Sequence, residues 1–150
     1  VAESTSEVMD MAGPAAVSRS AGVHGALASS NSTHHPQRRH TTMFHELRVY
    51  HCAPGRLPDL NRRFETITLK LWDKHGIRQT GFWTVYIGES NQQLIYLLEW
   101  KDLAEREAKW AAFASDPEWL TARAETEKNG PLITHFSNQI LSPTSYSKIR

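Results

Sequence analysis

The stretch QLIYLLEW, residues 93–100, limits the fold more than any other part of the chain. Read as a strand, it places Leu94, Tyr96, Leu98 and Trp100 on one side and Ile95 and Leu97 on the other. A strand that is oily on both sides must be buried on both. The stretch IRQTGFWTVYI, residues 77–87, repeats the pattern, with Phe82 and Tyr86 opposite Trp83, Val85 and Ile87. The sheet built from these strands therefore needs cover on two faces.

The helices account for one face. A strand is expected over 44–51, followed by the breakers Pro54, Gly55 and Pro58. A helix over 57–75 carries Leu57, Leu60, Phe64, Ile67 and Leu71 as a packing stripe and closes at Gly76, with Lys74 and His75 in its last turn. Strands follow at 77–87 and 93–100, with Gly81 marking a bulge. Asp102 and Glu105 form a capping box for the next helix, which turns Leu103, Trp110 and Phe113 inward. Asp116 and Pro117 start a further helical piece, which ends near Asn129-Gly130-Pro131 before a last strand at 132–141. This order, β-α-β-β-α-β, is that of a ferredoxin-like α+β fold: a four-stranded antiparallel sheet with helices on one face.

Cover for the second face must come from elsewhere. A bare patch of several hundred Å² is unusual for a monomer. At about 25 cal/mol per Å², covering it would be worth on the order of 10 kcal/mol before association costs. A second copy, sheet against sheet, is the simplest cover, so a homodimer is expected.

The first strand, HELRVYHC, gives this interface its chemistry. If Leu47 and Val49 pack under the helices, then Glu46, Arg48 and Tyr50 face the space between the paired sheets. An acid and a base two residues apart can bridge each other there, as buried charges must. A partly polar chamber would result, with Glu46 available as a base and Arg48 to orient an anion. Phe82, Tyr86 and Tyr96 would supply flat apolar walls for a small aromatic ligand, and His75 a titrating group at the mouth. The plainer readings are an ion pair beside a dimer seam, core aromatics, and a histidine favoured by the helix dipole. Glu99 is expected on the side of Leu97, either as a buried acid or emerging at the strand end.

Composition excludes several classes. A net charge of +1 gives no case for nucleic acid. Cys52 stands alone, so no intrachain disulfide, zinc motif or catalytic cysteine is expected. His45 and His51 lie about 20 Å apart along one strand, at roughly 3.3 Å per residue, and cannot share an ion within a chain. No P-loop, GxGxxG, GxSxG or HExxH is present, and neither a metal nor a cofactor is expected. No run approaches the roughly 20 apolar residues of a membrane helix.

Residues 1–42 differ from the rest. They hold no Trp, Tyr or Phe, and read as a disordered N-terminal extension to a domain spanning 43–150. Met43 is the expected natural start, with an extended frame or expression leader before it. Between Ser18 and Thr42 the segment has Arg19, Arg38 and Arg39 and no acid, loosely like an organelle transit peptide. The cluster His34, His35 and His40 would bind metal only adventitiously.

HELRVYHCAPGRLPDLNRRFE, KHGIRQTGFWTVYIGESNQQLIYLLEW, KDLAEREAKWAAFASDPEWL and NQILSPTSYS, taken in order, resemble the NIPSNAP family across essentially all of 43–150. Glu46, Arg48 and Tyr50 match the family's ELR-x-Y strand and His75 its KHGI. The resemblance implies a ferredoxin-like fold paired into a dimeric α/β barrel. It implies no settled activity, since compact bacterial members have none; those members also lack a counterpart of 1–42. A cytoplasmic location is expected, or a mitochondrial one if 1–42 acts as a transit segment, as eukaryotic relatives are mitochondrial. Those relatives are linked to membrane trafficking and mitophagy signalling, so a non-catalytic protein-interaction module is one alternative to ligand binding. A cofactor-free monooxygenase-like enzyme is another, by analogy with barrels of this architecture that act on polycyclic phenols; related barrels also handle haem.

Overall fold

The computed structural model describes residues 43–149. The expectations for 1–42, including disorder, a transit role and the histidine cluster, lie outside the described residues.

Strand β1 (Phe44–Cys52) leads through a Pro-Gly turn into a long helical run. The run has three parts: α1 (Leu57–Arg63), a π-helical turn (Phe64–Thr68) and α2 (Leu69–His75). The sequence predicts one regular helix here; the π-turn is a departure from it. Burial follows Leu57, Leu60, Phe64, Thr68, Leu71 and Trp72, so the extra residue in the π-turn moves the buried stripe onto Thr68 and Trp72. Thr68 Oγ1 bonds back to the Arg63 carbonyl at 3.3 Å, five residues earlier. Gly76 closes the run in the left-handed conformation, at φ 68°.

Strands β2 (Arg78–Thr84) and β3 (Gln93–Trp100) form a hairpin with a register shift between Gln79 and Gly81, at the expected bulge. β2 stops at Thr84, three residues short of the predicted strand end. From Val85 the chain folds back so tightly that a β-carbon on Gly88 would lie 2.7 Å from Val85 Cγ1. Tyr86 and Ile87 are consequently in an exposed loop and not on the sheet.

Helix α3 (Leu103–Ala114) starts at Asp102, whose side chain accepts from the Glu105 amide at 2.7 Å. Glu105 returns to the Lys101 amide at 2.6 Å, one residue outside the expected box. Helix α4 (Pro117–Thr126) starts at Asp116, which accepts from the Glu118 amide at 2.8 Å, with Pro117 in the first turn. Strand β4 (Ile133–Leu141) ends the fold.

The four strands form an antiparallel sheet in the order β2-β3-β1-β4. The fold class is the expected ferredoxin-like α+β arrangement. Its helix-side core joins Tyr50, Phe64, Trp72, Leu94, Tyr96, Leu98, Trp100, Trp110 and Phe113.

The facing of β1 is the reverse of the one expected. Glu46, Arg48 and Tyr50 lie in the core, and Leu47 and Val49 are half-buried on the other face. The register explains this: Arg48 pairs with Tyr96 and Glu46 with Leu98, two strand residues that belong to the helix-side core. Leu47 pairs with Leu97 and Val49 with Ile95, and Ile95 in turn with Trp83, which is 52% exposed. This leaves an apolar band across the sheet, on the side away from the described helices. Glu99 lies in the same register row as His45 and accepts from Arg78 Nε at 3.0 Å, at the strand end and not under a helix.

Candidate functional site

Three charged groups meet between the sheet and α3. Glu46 is fully buried and its carboxylate is saturated. Oε1 accepts from Arg48 Nη1 at 2.9 Å and from Arg106 Nη2 at 3.0 Å. Oε2 accepts from Trp100 Nε1 at 2.9 Å and from Arg106 Nε at 3.1 Å. Burial is the strongest influence on this carboxyl and raises its pKa. The bond from Arg106 and the charges of Arg48 and Arg106 outweigh it, so the group stays ionised below the ordinary range.

Arg48 sits at the centre. Its guanidinium lies 4.7 Å from the ring centroid of Trp110, 5.0 Å from Phe136 and 5.5 Å from Tyr50. Nη2 makes a long 3.4 Å bond to the Tyr50 hydroxyl, and Nε has no partner. Tyr96 is fully buried opposite Arg48 on β3. Its hydroxyl lies beside the Tyr50 phenol but outside hydrogen-bonding geometry. Burial raises the Tyr96 pKa well above the ordinary phenol value, against the pull of Arg48, so it is a neutral donor. The indole N–H groups of Trp72 and Trp110 are also buried without partners.

Aromatic rings wall this cluster. Tyr96 stands 5.2 Å from Tyr50, 5.6 Å from both Phe64 and Trp72, and 5.1 Å from Phe82, between ring centroids. Phe64 is the first residue of the π-turn, so the irregular turn lies over the polar cluster. π-turns inside helices frequently occur at functional sites.

The site residues expected from sequence therefore divide. Glu46, Arg48, Tyr50, Phe82 and Tyr96 do come together, but on the helix side and not on the face a second sheet would meet. Tyr86, 97% exposed, is not among them. His75 is elsewhere as well: its Nε2 is 2.7 Å from Asp116 Oδ2, which also accepts from Lys74 at 2.7 Å. The bonds from Lys74 and then His75 lower the Asp116 pKa, and the three groups tie the end of α2 to the start of α4.

Arg106 was not foreseen. It lies within AERE, which reads as a solvated run. Its spacing from Trp110 and Phe113 nevertheless places it on the buried stripe of α3.

On the opposite face, His45 is 4% exposed with neither ring nitrogen bonded, and His51 stacks on His135 at 3.9 Å. Among the described residues no group of three His, Cys, Asp or Glu side chains could hold a metal ion. No helix among them is long and apolar enough to cross a membrane.

The four-stranded sheet with helices on one face defines a ferredoxin-like α+β domain. The NIPSNAP family model matches residues 45–148, and the chain belongs to that family. A NIPSNAP family protein with unknown function from Agrobacterium tumefaciens has a similar structure, with a TM-score of 0.66 at 24% identity over 75% of this chain and 97% of that one. An uncharacterized NIPSNAP-like domain protein from Burkholderia xenovorans matches with a TM-score of 0.65 at 28% identity, over 72% and 90% of the two chains. No curated protein matches the sequence.

Proposed function

We propose that this chain pairs with a second copy through its apolar sheet face, and that each subunit binds a small aromatic ligand on the other side of the sheet, beneath the π-turn. The observation that carries the ligand reading is the buried Tyr96 hydroxyl, unpartnered inside a box formed by Tyr50, Phe64, Trp72 and Phe82. An unmet buried donor is costly, by about 1–3 kcal/mol, and a ligand acceptor would offset that cost. The band of Trp83, Ile95, Leu97, Leu47 and Val49 favours pairing. No reaction is assigned.

Both parts have a direct test. Sedimentation of the full chain at micromolar concentration should give a dimer, and Leu97→Asp should give a folded monomer. A wild-type monomer would remove the pairing. Melting scans with quinols, haem and aromatic acids should show a stabilising shift from at least one, diminished in Tyr96→Phe. No shift from any of them would remove the ligand.

A further inference from the structure

The charges and donors around Arg48 do not balance, and the imbalance has a direction. Two guanidinium groups, on Arg48 and Arg106, face one carboxylate, on Glu46, leaving one buried positive charge without a counter-charge. The unmet groups are all donors: Arg48 Nε, the Trp72 and Trp110 indoles, and the Tyr96 hydroxyl. Each of these residues is 2% exposed or less. Each oxygen of Glu46 already accepts two bonds, so the cluster's acceptor is fully used.

The geometry adds a shape. Arg106 holds Glu46 with the Nε–Nη2 edge of its guanidinium, the fork that matches a carboxylate in two parallel bonds. Arg48 uses only Nη1 on Glu46. Its own Nε–Nη2 edge is unclaimed apart from the long contact to Tyr50. The faces of that guanidinium are taken by aromatic rings, so the edge is what remains to bind with.

We propose that the ligand is an aromatic carboxylic acid, bound as its anion, with the carboxylate on the Nε–Nη2 edge of Arg48 beside Tyr96 and the ring among Phe64, Trp72 and Phe82. This rests on the aromatic-ligand reading above and narrows it. A carboxylate supplies the missing negative charge and only accepts hydrogen bonds, as the unmet donors require. The π-turn residue Phe64 forms part of the ring wall, so the ligand enters against the least regular turn of the covering helices.

The test uses the full 150-residue chain, with 2-naphthoate as probe and 2-naphthamide as its uncharged isostere, followed by calorimetric titration at neutral pH. Naphthoate should bind roughly tenfold or more tightly than the amide. Arg48→Lys, which keeps the charge but loses the fork, should weaken naphthoate by about tenfold or more. Tyr96→Phe should weaken it by a smaller factor. Should Arg48→Lys fail to fold, Tyr96→Phe decides. Equal binding of acid and amide would overturn the anion assignment and leave an aromatic ligand standing. Naphthoate binding unchanged by either variant would also overturn it, by placing the acid elsewhere. Binding of neither probe would overturn this proposal; the wider ligand reading would then depend on the melting scans.

Discussion

Arg106 grips Glu46 with both nitrogens of one guanidinium edge, at 3.1 Å and 3.0 Å, across 60 residues of chain. The pair joins α3 to the middle of the sheet. With Glu46 fully buried, removing one partner strands the other. Arg106→Ala should therefore cost about 3–5 kcal/mol in urea unfolding. A loss below about 1 kcal/mol would mean that solvent reaches the carboxylate once the guanidinium is gone.

Acid should expose the same relationship. The Glu46 carboxyl has its pKa held below 4.5 in the fold, so the unfolded chain takes up protons first. Stability from this group is fully present above pH 4.5 and falls as pH drops through the folded-state value. Glu105 adds to the effect: burial opposes its ionisation, but Lys109, the Lys101 amide and Arg78 hold it down to about 2. A melting series from pH 7 to 2 should show a steepening loss below about 4.5, and Glu46→Gln should be less stable at pH 7 with a shallower slope in acid.

Cys52 is 6% exposed, and burial pushes its thiol up to about 11 despite Arg63 nearby. In the native protein at pH 8 a disulfide reagent should label it only as fast as the chain opens. In denaturant, labelling should be immediate. Rapid native labelling would show that the end of β1 is loosely held.

Gly76 ends α2 at φ 68°, where side chains are disfavoured, and a β-carbon there would come 3.3 Å from Lys109 Nζ. That ammonium donates to the Gly76 carbonyl at 2.7 Å. Gly76→Ala should destabilise by about 1–2 kcal/mol, seen as a lower urea midpoint with an unchanged slope. Gly76→Asn should cost less, because Asn tolerates the left-handed region.

Much of the fold is legible in the sequence because its signals are local. Asp102 with Glu105, Asp116 with Pro117, Gly76 and Gly81 each act within a few residues of their own position. The facing of β1 is not local. Alternation in HELRVYHC shows that its two faces differ, but not which one the helices cover. Leu47 and Val49 are the natural core pair until Arg106 and Trp100, 60 and 54 positions downstream, meet the charge of Glu46. The composition of the candidate site was readable for the same five residues that meet in it; its location was not. Tyr86 was misplaced because nothing in WTVYIG announces that the strand stops at Thr84.

The π-turn has a mechanical consequence for everything beyond it. Its surplus residue works as an indexing spacer between α1 and α2. Deleting one residue from Phe64–Thr68 would let the coil rewind regularly and swivel α2 by about 100° about its axis. Trp72 would then rotate out of the sheet's shelter, and His75 would swing away from Asp116.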